Sequence, residues 1–481
     1  MTSKWDFLIT HQVLALYRSE RAFHQETVSN GDYLVLESVN AKQREVKMKK
    51  GICTWSLVAV VAMSMLLIPC FLPEGQAQTK DKLGWVGPIY KELSDSLTKG
   101  FKEYYQKTYN KEVDITFVRP GGWPVCVDKV RAWGDKPDAD VFLGAGAPAH
   151  EVLKKEGLIV PYRPKGLEMV PADWKGMKVK DAGDYWACFS PWIVTNLYNE
   201  RVLKALRLPP PKTWQDMVNP IYRGNIVQTL PYASGTQHEV IEIHLQAFGE
   251  AEGWKYNRLL AAQLARFSTG STDTTHLVAR GEVPIGIAQP QMNAMVARKD
   301  GYPVRDLLPD KTILVPEAVA LLKNAPNEAV GKIFLDWLFS MDGQKYVLEG
   351  GYFTARTDIN FSTWEKEGVT MAKHAKDALG VDSFWDLKVD FIAYDLDLAA
   401  KRWDDVNRYF EFQIYRKWGE LKSSLFLIEE VEGEVAAAKA KKIDVKAAEV
   451  KIAEARKLFE YEGDYAAARL AASQARAMLA R

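Results

Sequence analysis

The feature that most constrains this chain is a repeated junction, in which an apolar, β-rich run ends at a turn of small residues and a segment with helical spacing follows. Runs of this kind occupy residues 113–118 (VDITFV), 139–143 (ADVFL), 225–230 (NIVQTL) and 283–288 (VPIGIA). Strand, glycine-rich turn and helix in repetition are typical of α/β lobes with mostly parallel sheets. In such sheets ligands bind where strands end and helices begin.

Four strand-to-helix junctions carry glycine or hydroxyl residues where a helix is predicted to start. The first turn of a helix presents unpaired N–H groups and the positive end of the helix dipole, so several starts facing one cleft would hold an anion. A single turn of this type occurs in any α/β protein, and the hypothesis therefore depends on convergence. Arg119, just before the first turn, is either a partner for the anion or a surface residue. The candidate ligand-binding residues are Gly122, Trp123, Ala145, Gly146, Ser234, Gly235, Thr236, Ser271 and Thr272.

Length and charge narrow the class of partner. The 481 residues allow two or three domains, and the net charge of +1 gives no indication of a nucleic-acid or acidic-membrane surface. We expect a small-molecule ligand, no nucleic-acid partner, no cofactor and a monomer. Outside the apolar N-terminal segment only Cys126 and Cys188 remain. Two cysteines are too few for a disulfide scaffold, and they are either two buried thiols or one disulfide.

The N-terminal region contains a segment with the layout of a secretory signal peptide, over residues 48–77. Lys49 and Lys50 precede an almost wholly apolar run at 54–72, Pro73 breaks it, and small residues follow at 75–77. An uncleaved membrane anchor is the alternative. Residues 1–47 are polar and lack sustained periodicity, so we interpret them as a non-native or disordered extension, with Met48 as the true start. The sequence predicts export to the periplasm or the cell exterior.

The C-terminal region changes character at about residue 420. It becomes rich in Ala, Lys and Glu with helical spacing, and apolar residues step by three and four from Val445 to Phe459. Gly463 is predicted to end one helix, and Asp464 to cap the next. We predict an α-helical hairpin over 420–481, in which residues 424–441 form a third helix.

Four segments together carry a family resemblance. Residues 139–162, 209–236, 281–288 and 334–357 follow one another in the order seen in bacterial extracellular solute-binding proteins, and the blocks Pro-Lys-Thr-Trp and Ser-Gly-Thr are specific. The chain resembles family 1 of these ABC-transporter proteins over about residues 84–410, in the branch that includes binders of ferric ion, hexose phosphate and aminoethylphosphonate. The resemblance implies a type II periplasmic-binding fold, in which two α/β lobes joined by two crossing strands close on a ligand and deliver it to a membrane permease.

The resemblance also implies a division of the chain. It places lobe 1 at 84–187, lobe 2 at 192–285 and the return to lobe 1 with its closing helices at 290–419, before the hairpin. The hinge strands are predicted at Cys188–Ile193 and Ile285–Gln289.

The ligand is predicted to be a small organic anion: a phosphate ester, a phosphonate or a carboxylate. Ferric-ion members of the branch carry adjacent tyrosines shortly after the block that matches residues 281–288. This chain has Gln289 and Gln291 there, which suggest neutral hydrogen bonding to an oxygen-rich molecule. We therefore add Gln289 to the candidate ligand contacts. A ferric or divalent metal-ion receptor of the same fold is the alternative.

Other classes of function are less well supported. His150, His238 and His276 each follow one of the turns and would bind zinc if they converged, but they lack a local ligand spacing. A hydrolase would need a base beside Ser234, and the sequence around it is not the Gly-x-Ser-x-Gly elbow. An interaction module acting through the C-terminal hairpin is a further alternative. We expect no catalytic residue and no metal site.

Overall fold

The computed structural model describes residues 80–479. The predicted N-terminal extension (1–47) and signal segment (48–77) lie outside these residues. Between residues 80 and 479, no helix combines the length and the apolar character that crossing a bilayer requires.

The described chain contains twelve strands, ten of which form one continuous, curled sheet in the order β2-β1-β3-β12-β7-β10-β8-β9, with β4 beside β12 and β11 beside β7. The strands are β1 (Asp81–Val86), β2 (Val113–Val118), β3 (Val141–Leu143), β4 (Ile159–Val160), β5 (Asp173–Trp174), β6 (Met177–Lys178), β7 (Ala187–Asn199), β8 (Ile226–Thr229), β9 (Leu264–Ser268), β10 (Ile285–Pro290), β11 (Val304–Leu307) and β12 (Leu314–Leu322). Strands β1, β2 and β3 are parallel, as are β8, β9 and β10, which confirms the predicted α/β class.

Helices cover both groups of strands. They are α1 (Lys91–Tyr109), α2 (Trp123–Trp133), α3 (Ala147–Lys155), α4 (Glu200–Leu206), α5 (Trp214–Met217), α6 (Gly235–Phe248), α7 (Glu250–Gln263), α8 (Ser271–Arg280), α9 (Met292–Lys299), α10 (Glu328–Leu338), α11 (Met341–Glu349), α12 (Phe361–Lys366), α13 (Thr370–Leu379), α14 (Leu396–Lys401), α15 (Trp403–Tyr409), α16 (Trp418–Ala440), α17 (Lys446–Lys457) and α18 (Tyr465–Leu479). Short π-helical segments follow α15 (Phe410–Tyr415) and α17 (Leu458–Glu462).

Two antiparallel segments connect the two groups of strands. Strand β7 pairs with β12 up to Ile193 and with β10 and β11 from Val194 onward, so it runs through both groups. Residues 308–313 join β11 to β12 along the same edge of β7, with the Thr312 hydroxyl donating to the Val194 carbonyl at 2.7 Å. We call the group containing β1, β2, β3, β4 and β12 lobe 1, and the group containing β8, β9, β10 and β11 lobe 2.

The prediction that Ile285–Gln289 forms the second hinge strand is wrong. Strand β10 pairs with β8 and with the lobe 2 part of β7, so it lies within the lobe 2 group. The crossing is made instead by the less apolar connection at 308–313, which follows β11. The apolar run at 283–288 marked a buried strand, and burial alone does not distinguish a strand inside a lobe from one that joins two lobes.

The C-terminal helices α16, α17 and α18 pack as a three-helix unit against α7 of lobe 2. The Trp418 indole donates to the Ala261 carbonyl at 2.8 Å, and Leu421 is fully buried at the joint. Gly463 ends the preceding segment in the left-handed region (φ 67°), and the Asp464 carboxylate accepts from the Ala467 N–H at 2.9 Å, as predicted. The predicted helical hairpin is thus confirmed as part of the fold.

Cys126 and Cys188 are both buried free thiols. Cys126 lies on the buried face of α2, and Cys188 lies in β7. Of the two alternatives that the sequence left open, the structure shows separate thiols.

Candidate functional site

A cavity of about 430 Å³ lies between the two lobes. Four helices begin at its wall: α2 and α3 from lobe 1, and α6 and α8 from lobe 2. None of these four helices has a side-chain cap at its N-terminus. Backbone N–H groups at an uncapped helix start are free to donate to a ligand, and the dipole favours negative charge there.

The two helix starts of lobe 2 are joined through their serines. The Ser234 hydroxyl, at the N-cap of α6, lies 2.8 Å from the hydroxyl of Ser271, the first residue of α8. Each hydroxyl can still accept or donate a second hydrogen bond. The pair therefore presents two adjacent hydroxyl groups to the cavity, beside the N–H groups of Gly235 and Thr272.

The loop before α3 approaches the cavity in an unusual backbone conformation. Gly144 and Ala145 both have positive φ (98° and 71°), and a non-glycine residue in that region is under strain of about 1–3 kcal/mol. Two hydrogen bonds stabilise this strained conformation of Ala145. Its N–H donates to Glu317 Oε1 at 2.7 Å, and its carbonyl accepts from the Ala318 N–H at 2.9 Å.

Two buried carboxylates line the cavity from opposite lobes. Glu317, on β12, accepts from the Trp192 indole at 2.8 Å in addition to Ala145. Glu239 lies one turn into α6, and its Oε2 atom is buried without a hydrogen-bond partner. Burial and the nearby Glu317 raise the pKa of Glu239 to about 8. Burial also raises the pKa of Glu317, although its two donors act in the opposite direction.

Aromatic residues border the cavity on the lobe 1 side. The rings of Tyr90 and Tyr352 lie 6.2 Å apart, and the guanidinium of Arg119 lies 5.4 Å from the centre of the Tyr90 ring. Burial raises the pKa of both tyrosines, so their phenols are protonated at neutral pH. Arg119 is exposed at the rim and supplies the cationic side chain on this wall.

The structure brings nine of the ten predicted ligand contacts to this one cavity. They are Gly122, Trp123, Ala145, Gly146, Ser234, Gly235, Thr236, Ser271 and Thr272. Gln289, the tenth predicted ligand contact, does not line the cavity. Its side-chain oxygen accepts from Thr275 and Asn293, and its amide donates to the carbonyls of Ile287 and Ala288. Gln289 thus satisfies the backbone of a bulged strand and has no group left for a ligand.

The three histidines lie in separate environments. His150 is buried with its Nδ1 atom 3.2 Å from the Gly146 carbonyl, whereas His276 is exposed on α8. His238 is buried with Nδ1 3.1 Å from Asn407 Oδ1. Among residues 80–479, no group of three or more His, Cys, Asp or Glu side chains is arranged to hold a metal ion.

Five further side chains line the site and were not predicted from the sequence: Tyr90, Trp192, Glu239, Glu317 and Tyr352. For Glu317 a signal existed, because it is the one charged residue in the nine-residue, fully buried strand β12. Glu239 follows Gly235 by four residues, and residues at this spacing share one helix face. Tyr352 lies in a loop after α11, and its place in the cavity depends on tertiary packing that no local pattern records.

Two lobes, two crossing segments between them and a cavity lined by helix starts are the features of the type II periplasmic-binding fold. Residues 136–372 match the family described as bacterial extracellular solute-binding protein. The match ends before α14, α15 and the C-terminal three-helix unit.

Known proteins similar to this chain include both organic-anion and iron binders. A relative from Salmonella paratyphi A, named "Putative 2-aminoethylphosphonate-binding periplasmic protein", is 25% identical over 324 residues, which cover 65% of this chain and 90% of the relative. The fold is shared with the periplasmic binding protein AfuA from Actinobacillus pleuropneumoniae, solved with fructose-6-phosphate (TM-score 0.56, 21% identity, 69% and 98% coverage). It is also shared with iron-bound HitA from Pseudomonas aeruginosa (TM-score 0.53, 17% identity, 68% and 98% coverage).

Proposed function

We propose that this protein is the solute-binding component of an ABC importer, captures a small organic anion between its lobes and delivers it to a membrane permease from the periplasm or cell exterior. The observation that carries the proposal is the convergence of four uncapped helix starts, two from each lobe, on one cavity. A ligand that contacts both lobes favours the closed form, which is the form a transporter would recognise.

The energetics of the cavity suit a compact anion. Each helix dipole contributes about 0.3–1 kcal/mol, and a hydrogen bond to a charged group contributes about 1.5–3 kcal/mol. A micromolar dissociation constant needs about 8 kcal/mol. Several dipoles together with a few direct bonds from Ser234, Ser271 and backbone N–H groups reach that value, whereas one helix start does not. The name of the Salmonella relative supports a phosphonate or a phosphate ester over a simple carboxylate.

A binding role for Ser234 is favoured over a catalytic one. Its hydroxyl is paired with Ser271, and His238 instead contacts Asn407 and the ring of Trp403. Burial lowers the pKa of His238 to about 4, and its Nε2 atom is enclosed without a partner. No general base thus contacts Ser234 among the described residues, and the mechanism involves closure without chemistry.

The test is a thermal-shift screen followed by calorimetry, with ethylphosphonate, 2-aminoethylphosphonate, fructose-6-phosphate, citrate and Fe(III)–citrate as probes. We expect a phosphonate or phosphate ester to raise the melting temperature, because a ligand that binds only the folded state stabilises it. The double variant Ser234→Ala/Ser271→Ala should reduce that shift. The matched control is Ser423→Ala, which removes an exposed serine on α16.

Ferric ion is the second candidate, because Tyr90, Tyr352 and Glu317 all line the cavity and oxygen donors suit a hard cation. Burial raises the pKa of both phenols, so forming the phenolates that bind Fe(III) carries an added cost, which weighs against this candidate. A melting-temperature increase with Fe(III)–citrate alone, and with none of the organic anions, would overturn the proposal in favour of iron.

A further inference from the structure

The cavity contains an electrostatic feature that an anion alone does not explain. Glu239 and Glu317 are each 7% exposed, and both line the same cavity. Between residues 80 and 479, neither carboxylate takes part in a salt bridge. Two buried carboxylates in one cavity, neither of them paired with a cation, are costly unless a proton or a cation lies with them.

The two carboxylates come from opposite lobes and bracket one loop. Glu317 Oε1 accepts from the Ala145 N–H in lobe 1. Glu239 belongs to α6 of lobe 2, yet its carboxylate lies so close to the same loop that a Cβ added at Gly146 would be 3.3 Å from its Oε1 atom. Closure of the lobes therefore brings Glu239 towards Glu317. Their mutual repulsion opposes closure when both are charged.

The donors around the pair are unequally distributed. Glu317 receives two hydrogen bonds, from Ala145 and Trp192, whereas Glu239 Oε2 receives none. The exposed Arg119 contacts Tyr90 at the rim and is not among the groups that shift the pKa of either carboxylate. Tyr90 and Tyr352 lie near Glu317, and Tyr394 lies near Glu239; burial keeps these phenols protonated. Glu239 Oε2 thus lacks a hydrogen-bond donor, which a ligand could supply.

We propose that Glu239 and Glu317 form a cation subsite shared by the two lobes, which takes the protonated amine of a zwitterionic ligand whose anionic group occupies the helix starts. This inference rests on the proposed function and narrows its ligand class to an aminoalkyl phosphonate or aminoalkyl phosphate. A ligand ammonium replaces the proton that the pair otherwise needs, and it converts a repulsive contact between the lobes into an attractive one. The amine end then contributes directly to closure.

The test compares two ligands that differ only in the amine. By calorimetry at pH 7, wild-type protein should bind 2-aminoethylphosphonate at least about tenfold more tightly than ethylphosphonate. In Glu239→Gln the ratio should fall towards one, with ethylphosphonate binding retained. Asp397→Asn, an exposed carboxylate on α14, is the matched control and should keep the wild-type ratio. Repeating the wild-type titrations in buffers of different ionisation enthalpy, with correction for the second ionisation of each phosphonate, should show release of up to one further proton with the amine ligand and none with ethylphosphonate.

The outcomes separate this inference from the proposed function. Equal affinity for the two phosphonates, or tighter binding of fructose-6-phosphate, overturns the cation subsite and leaves anion capture standing. Binding of no phosphonate or phosphate ester overturns both. The comparison on wild-type protein needs no variant, so it stays decisive if Glu239→Gln fails to fold.

Discussion

The indole of Trp123, at the start of α2 in lobe 1, lies 4.5 Å from the indole of Trp403 between ring centroids. Trp403 in turn lies 3.7 Å from the ring of His238 on α6 of lobe 2. These three rings form a bridge from lobe 1 to lobe 2 that starts at Trp123 in the cavity wall, and its middle member comes from a segment beyond the family match. Because an aromatic pair contributes about 0.5–1.5 kcal/mol beyond its buried area, the bridge favours the closed form.

Replacing the middle ring should loosen closure. Trp403→Ala is expected to raise the dissociation constant for 2-aminoethylphosphonate by roughly two- to tenfold, which corresponds to the pair energy. Calorimetry measures the constant, and small-angle scattering of the ligand-bound variant should show a larger radius of gyration. Phe412→Ala removes an exposed aromatic ring from the same segment and should change neither quantity. An unchanged dissociation constant in Trp403→Ala would contradict a closing role for the bridge.

Ligand binding should be sensitive to a methyl group added at Gly235, because Trp123 of the opposite lobe packs against this glycine. A Cβ atom at Gly235 would overlap the indole of Trp123, whereas one at Gly270 would meet open space. Both glycines begin helices at the same cavity, and neither has a positive φ. Gly270→Ala is therefore a matched control for the effect of alanine at a helix start.

We expect Gly235→Ala to weaken ligand binding without lowering the melting temperature of the ligand-free protein. Overpacking costs about 1–3 kcal/mol, so the dissociation constant should rise by about five- to 150-fold, while Gly270→Ala should stay within about twofold. Calorimetry and differential scanning fluorimetry separate the two effects. A lower melting temperature in Gly235→Ala would mean that the methyl group disturbs lobe 2 itself.

The sequence predicted the part of the site that depends on local structure. Helix starts follow from strand, glycine and helical spacing, and all four predicted turns reach the cavity. Gln289 was wrongly predicted as a ligand contact because its side chain hydrogen-bonds to the backbone of a bulge in β10. The bulge includes Ala288 with a positive φ of 52°, which no local sequence pattern predicts. The pairing of Glu239 with Glu317, and of Trp123 with Trp403, depends on how two lobes meet. Such contacts between residues far apart in sequence leave no periodicity in the chain.

An ion pair between the partly buried Arg402 and a buried carboxylate attaches the segment after the family match to lobe 2. Arg402 Nη2 lies 2.6 Å from Glu242 Oε2, and Glu242 is fully buried on α6. Removing one partner of a buried pair leaves an uncompensated charge and costs about 3–5 kcal/mol. Arg402→Met should therefore lower the free energy of unfolding, measured in urea, by about that amount.

A second substitution distinguishes the stranded charge from lost packing. In Arg402→Met/Glu242→Gln the buried charge is absent, and most of the lost stability should return. Arg408→Met breaks an exposed pair with Asp405 in the next turn and should cost less than about 1 kcal/mol. If the double variant were as unstable as Arg402→Met, the loss would come from packing of the arginine side chain and not from the charge of Glu242.

Glu239 should make the ligand-free protein less stable as the pH rises above 6.5. Its pKa is about 8 in the folded protein, well above its ordinary value. The folded state therefore keeps a proton that the unfolded state has released. The stabilisation is fully present below the unfolded pKa and is lost as the pH rises through 8, at up to about 1.4 kcal/mol per pH unit.

The buried histidines have the opposite effect on the pH dependence of stability. They set the lower pH limit of the range in which the contribution of Glu239 can be measured. Burial lowers the pKa of His150 and His238 to about 4, so the unfolded state binds more protons and stability falls as the pH drops below 6.5. Urea denaturation between pH 6.5 and 8.5 should thus show a decline in the wild type and a much flatter profile in Glu239→Gln. Glu92→Gln, an exposed change on α1, should keep the wild-type slope. If the unfolding free energy of Glu239→Gln fell with pH as steeply as that of the wild type, another group would hold the proton, such as Asp306 with its raised pKa of about 7. Glu239 and Glu317 would then both be ionised in the ligand-free protein.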